Sequence, residues 1–204
     1  MIPSFMVIDD FLENAEDLRA MAKTMDFPEL EVDTAYPGRN SVQRINIPGL
    51  EDQVSRLVHT PLKPKAGSGH ARFRLTLAGD EGIADIHIDD SHWSGIYFLS
   101  RPEDCMGGTE FYRHLPTGTD RALTEPEDIR KLGASSRQEA NQIFNDILLN
   151  DSKDRSKWEK IMDIPMQFNR LILFRPWFWH TAGPGFGHDF DSGRLVYLLF
   201  FDQA

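Results

Sequence analysis

The stretch from Asn169 to Phe201 limits the folds open to this chain more than any other. Two apolar runs, residues 171–174 and 195–201, flank a loop crowded with Gly, Pro and aromatic side chains. Such runs have strand length, and unbroken apolar strands need cover on both faces. An imidazole, His180, stands near the start of that loop, and a guanidinium, Arg194, heads the second run. A cation at the head of a buried strand needs an anionic partner. Asp189 and Asp191 are nearest in sequence, and a bound anion is the other choice.

The preceding chain supplies more strands of the same kind. Residues 73–77 alternate at period two, and residues 83–88, 95–99, 107–112 and 161–174 read as further short strands split by Gly and Pro. Strands at roughly ten-residue spacing suggest an antiparallel sandwich or barrel. Ahead of them lie an opening strand at 4–8 and a helix from Asn14, its cap, to about residue 25. That helix carries Leu18, Met21, Ala22 and Met25 as its apolar stripe. A turn at 36–39 and a second helix over 50–59, stopped by Pro61 and Pro64, follow. Residues 126–150 break the rhythm, with Ile129, Leu132, Ile143, Phe144, Ile147 and Leu148 at helical steps. The expectation is one α+β, mainly β domain over 1–204. Its parts are a helical lead-in (1–70), barrel strands (71–118 and 161–201) and a helical insertion (119–160).

Charge and cysteine content narrow the function classes. A net charge of −10 opposes nucleic-acid binding, which depends on Lys and Arg neutralising phosphates. The one cysteine, Cys105, allows neither an intrachain disulfide nor a cysteine zinc cluster, and this suits a reducing compartment. The N-terminus turns acidic within its first ten residues, unlike a signal peptide. No apolar run approaches the roughly 20 residues of a membrane span. A cytoplasmic protein with neither a nucleic-acid nor a membrane partner is expected.

His87 and Asp89 are two apart on an expected strand, so they project to one side. An imidazole and a carboxylate so placed can share one metal ion. A second imidazole from a neighbouring strand, His180, would complete two His and one carboxylate. That set leaves coordination positions open and is typical of non-haem Fe(II) oxygenases. A His-x-Asp arises by chance about as often as not in a chain with 7 His, so order and context carry the weight.

In order, the residues are His87-Ile88-Asp89, then Ile96-Tyr97-Phe98-Leu99, then Gly107-Gly108-Thr109-Glu110-Phe111. They continue with Asn169-Arg170-Leu171-Ile172-Leu173-Phe174, His180 with Pro184, and Arg194. This series resembles the Fe(II)/2-oxoglutarate-dependent dioxygenases, most closely their prolyl 4-hydroxylase-like branch. The opening VIDDFLENAEDLR is similar to the lead-in of small bacterial members. The resemblance implies a double-stranded β-helix, or jelly-roll, with iron at its open end and His87, Asp89 and His180 as ligands. It implies 2-oxoglutarate as cosubstrate, its far carboxylate paired with Arg194 and hydrogen-bonded by Tyr97. It also implies use of dioxygen, with decarboxylation of 2-oxoglutarate to succinate coupled to C–H hydroxylation of a small molecule or peptide.

The match covers residues 71–201 and omits the helical insertion. His180 and Arg194 lie further apart than is usual in this branch, and the loop over 185–192 takes up the excess. Where relatives carry a second tyrosine this chain has Leu77, so Arg74 and Thr109 are further candidates for the cosubstrate pocket. His92 and Trp93, just after the metal pair, are candidates for substrate contact, since loops at an open barrel end carry specificity. The competing reading is a cupin-like metal-binding jelly-roll, an isomerase or binding module that makes no use of 2-oxoglutarate. In it, Arg194 would be structural.

Overall fold

The structure, a computed structural model, describes residues 3–29, 36–122 and 125–204. The chain opens with β1 (Phe5–Ile8), α1 (Ala15–Lys23), β2 (Arg39–Asn40), α2 (Leu50–Leu57), β3 (Leu62–Pro64) and β4 (Phe73–Thr76). It continues through β5 (Trp93–Phe98), β6 (Gly108–His114), α3 (Pro126–Lys131) and α4 (Arg137–Asn150). A short 3₁₀ turn (Arg155–Lys157) leads into β7 (Trp158–Pro165), β8 (Leu171–Phe174), β9 (His180–Thr181) and β10 (Arg194–Gln203). The larger sheet has the order β1-β8-β5-β10-β4-β2, with β3 also on β10, and the smaller has the order β7-β6-β9. The pairings are antiparallel, and the two sheets form a double-stranded β-helix.

β10 explains the arrangement. Its Leu195, Tyr197, Leu199 and Phe201 enter one core, beneath Leu18 and Ala22 of α1 and Leu50 and Val54 of α2. Its Val196 and Leu198 enter a second core between the sheets, with Phe98, Ile172, Phe174, Phe111 and Ile164. Alternate residues of a strand face opposite ways, so a strand covered on both sides must be apolar at every position. The uninterrupted run at 195–201 is therefore the signature of a central strand.

On α1, the expected stripe is partly displaced. Leu18 and Ala22 are buried, but Met21 is 44% exposed, whereas Arg19 is buried. Arg19 donates to the carbonyls of Leu99 and Asp191, so its charge sits among oxygens rather than in water. Asn14 is the N-cap by position, but its side chain makes no capping bond.

The insertion is helical as expected. Ile129, Ala140, Phe144 and Ile147 pack on Tyr112, Trp158, Trp179 and Ile86, which covers the outer side of the smaller sheet. Ser136 accepts the amide of Glu139 and starts α4. The strand expected at 83–88 is a correction: only one bridge forms, between His87 and His180. The backbone there bonds elsewhere, Asp85 and Ile86 to Ser152 and Asp89 to the carbonyl of Pro176. No helix among the described residues is long and apolar enough to cross a membrane.

Candidate metal centre and anion pocket

His87 and His180 exchange backbone hydrogen bonds of 2.9 Å in both directions, which sets their side chains next to each other. Asp89 is fixed two residues on by its own amide bond to Pro176. One potential ligand atom from each of the three lies within 4.8 Å of the others. His180 Nε2 is 3.6 Å from Asp89 Oδ2, and His87 Nε2 is 4.0 Å from Asp89 Oδ1.

The outer nitrogens decide the tautomers. His87 Nδ1 is 2.8 Å from the Asp85 carbonyl, and His180 Nδ1 is 2.7 Å from the Phe178 carbonyl. A carbonyl only accepts, so each Nδ1 carries a proton and each Nε2 offers a lone pair toward Asp89. Burial, and then the nearby His180, lower the His87 pKa to about 4. Burial pushes the Asp89 carboxyl up, but the neighbouring His180 and His87 and the Tyr36 hydroxyl outweigh this and bring it to about 2. A neutral His87 imidazole and an ionised Asp89 carboxylate at neutral pH are the states a divalent metal requires. The donor set fits such an ion with positions left open.

Tyr36 was not singled out from the sequence. Its hydroxyl donates to Asp89 Oδ1 over 3.1 Å, and its ring lies 4.3 Å from that of His87. Burial first, and then the charge of Asp89, raise its pKa, so it remains a donor. Gly38 lets this turn lie flat on β4. Its φ is +89°, and a Cβ there would meet Thr76 Oγ1 at 2.4 Å. A Tyr-Pro-Gly run signals a turn, but nothing in the sequence says what the tyrosine reaches.

The cavity at this centre is walled by Ile96, Phe174, Val196 and Leu198, and Arg194, Arg74 and Thr109 also line it. Arg194 is 2% exposed. Its Nε and Nη2 are buried and, among the described residues, without a hydrogen-bond partner, as is Thr109 Oγ1. Burial, with the charge of Arg74, lowers the Arg194 pKa to about 10. The acids nearest in sequence are engaged elsewhere. Asp189 accepts from the amide and hydroxyl of Ser192, and Asp191 pairs with Lys23 at 2.5 Å. Buried donors are almost always satisfied, and these three atoms are exceptions that face the cavity.

Three sequence candidates fall outside the cavity. Tyr97 faces the helices, where its hydroxyl donates to Asn169 Oδ1 over 2.6 Å and Phe11 packs on its ring. Trp93 is fully buried in the same core, with the Arg175 guanidinium 4.1 Å from its ring. His92 Nε2 is 2.8 Å from Arg175 Nη1. Period two accounts for the correction: Ser94 and Ile96 of β5 line the cavity, so Trp93 and Tyr97 point the other way. β5 is covered on both faces, and its sequence therefore does not disclose its phase. Thr109 and Arg74, the further candidates, are brought to the cavity.

Solved structures share this fold. HygX from Streptomyces hygroscopicus, crystallised with nickel, 2-oxoglutarate and hygromycin B, aligns at a TM-score of 0.55 and 14% identity, covering 98% of this chain and 83% of that one. SnoK, a non-haem α-ketoglutarate-dependent carbocyclase from nogalamycin biosynthesis, aligns at 0.51 and 10% identity, over 98% and 79%. AviO1 from Streptomyces viridochromogenes Tue57 aligns at 0.50 and 11% identity, over 99% and 90%. At these identities the likeness is one of fold. No curated protein matches the chain by sequence. Residues 3–201 match the model of a family described as "Family of unknown function (DUF6445)", and the chain belongs to that family.

Proposed function

We propose that this protein is an Fe(II)- and 2-oxoglutarate-dependent oxygenase that hydroxylates a small-molecule or peptide substrate. The observation that carries the reading is one cavity with a His87–Asp89–His180 set and the unpartnered Arg194 guanidinium. A metal with open positions and a separate receptor for a carboxylate are what a chelating keto acid with a second acid group requires. HygX, of the same fold, was crystallised with nickel and 2-oxoglutarate.

In this reading His87, Asp89 and His180 hold the iron. Arg194, with the Thr109 hydroxyl, receives the far carboxylate of 2-oxoglutarate. Bound together, the iron and 2-oxoglutarate supply activation of dioxygen coupled to decarboxylation to succinate. The chain's own work is positional. The Asp85 and Phe178 carbonyls keep a proton on each Nδ1, Tyr36 holds one oxygen of Asp89, and apolar walls keep water from the cosubstrate. The cupin-like alternative assigns Arg194 a structural role, and an arginine whose Nε and Nη2 have no hydrogen-bond partner among the described residues does not favour it.

The test is anaerobic titration of the protein with Fe(II) and 2-oxoglutarate. A visible metal-to-ligand band is expected with 2-oxoglutarate and absent with succinate, which has no keto group. In air, succinate formation should require both additions. His180→Ala should abolish the band and the turnover without unfolding the chain. Turnover untouched by that substitution would refute the assignment.

A further inference from the structure

Arg74 is a second, half-buried guanidinium in this cavity. It stands on β4 beside Val196, while Thr76 of the same strand stands beside Arg194. Its Nε donates to Asn40 Oδ1 over 2.8 Å, a neutral acceptor, and its guanidinium carbon is 5.7 Å from the Tyr36 ring centroid. Among the described residues it has no ion-pair partner. Asp89 is close enough to be felt, but that carboxylate belongs to the metal set and already accepts from Tyr36. The Nε edge is taken, and the terminal nitrogens remain for a bidentate acceptor.

A charge count shows what is missing once the oxygenase reading, on which this inference rests, is accepted. Fe(II) brings two positive charges, Asp89 removes one, and neutral imidazoles remove none. Arg194 and Arg74 each add one, and the 2-oxoglutarate dianion offsets two. One positive charge is left over. Asp85 also lines the cavity but does not offset it, because its carboxylate lies 2.8 Å from Arg155 and accepts from Thr181. An unpaired buried charge is costly, so the loaded pocket favours an occupant that brings one negative charge. 2-Oxoglutarate is already matched, its far end by Arg194 and Thr109 and its near end by the metal. We propose that the substrate is a small carboxylic acid, and that Arg74 receives its carboxylate beside Tyr36.

The experiment follows the anaerobic Fe(II)–2-oxoglutarate band while probes are added, so binding is read without turnover. The probes are the N-acetyl derivatives of the protein amino acids, each paired with its primary amide, which lacks the α-carboxylate. One or more acids should perturb the band, and their amides should not. Arg74→Gln should weaken acid binding by about 10–100-fold. It should leave the 2-oxoglutarate titration unchanged without lowering the thermal midpoint, and Arg74→Lys should recover part of the loss. Amides that bind as well as acids, or no acid that binds, would overturn the proposal. So would Arg74→Gln weakening 2-oxoglutarate and sparing the acid, because that places Arg74 on the cosubstrate. A wild-type protein with no band at all would instead remove the oxygenase reading, and this is seen before any probe is added.

Discussion

At the His87 end of the cavity the chain's own groups hold the polar atoms, whereas at the Arg194 end two guanidinium nitrogens and a hydroxyl have no described partner. The first end is organised before any ligand arrives: both Nδ1 atoms face carbonyls, and Tyr36 secures Asp89. The arginine end carries a desolvation cost, which a bound anion would offset. The two ends should respond to mutation with opposite signs.

Arg194→Met should produce the largest effect. Truncating one partner of a buried charge pair costs roughly 2–5 kcal/mol, a rise in 2-oxoglutarate Kd of about 30-fold or more. The ligand-free protein should nevertheless become more stable, because an uncompensated buried charge is replaced by an apolar side chain of similar length. A gain of about 1 kcal/mol would raise the melting temperature by roughly 2–4 °C. Calorimetry on the metal-loaded protein and thermal melts without ligand measure the two effects. A variant that binds 2-oxoglutarate normally, or whose ligand-free form is destabilised, would show that Arg194 is a structural cation.

Tyr36→Phe probes the opposite end and should do less. The ring stays against His87, and the donor to Asp89 is lost. Removing a hydrogen bond that orients a metal ligand typically costs about 10–100-fold in metal affinity. The Fe(II) Kd from chelator competition should rise by that order, with 2-oxoglutarate affinity at saturating metal unchanged. No change in the metal Kd would mean that Asp89 is oriented without Tyr36.

The same contrast explains what the sequence disclosed. Arg194 was legible because a cation heading seven apolar residues has no cheap place to go. The pair His87 and Asp89 was legible from spacing, although the strand expected around it is only a single bridge. The two-residue offset survives in any extended segment, so the geometry held where the ladder did not. Tyr97 and Trp93 were misjudged for one reason. β5 is apolar on both faces, and a period-two pattern fixes a phase only when one face is polar. Tyr36 was missed because it comes from a turn far away in sequence, and its contact with Asp89 exists only after folding. The helical insertion was legible from its period, since its apolar stripe meets a single surface.

His70 is a buried group outside the cavity lining, and its titration carries the smallest expected effect. It is 5% exposed, and its Nδ1 accepts the amide of Phe200 over 3.0 Å. Burial, aided by the charge of Arg44, pulls its pKa below the ordinary value of 6.5. The folded chain therefore holds His70 neutral at a pH where the unfolded chain protonates it. Its contribution to stability is complete above about 6.5 and is lost as the pH falls below that value toward the folded pKa. His70→Asn supplies a side-chain oxygen as the acceptor and has nothing to titrate. The wild type should be the more stable of the two at pH 8, and its advantage should shrink steadily as melts are taken down to pH 5.5. His87 titrates with the same sign in the metal-free protein, but it is common to both chains and cancels in the difference. A gap that stayed constant across this range would mean that His70 carries the same charge in the folded and unfolded chains.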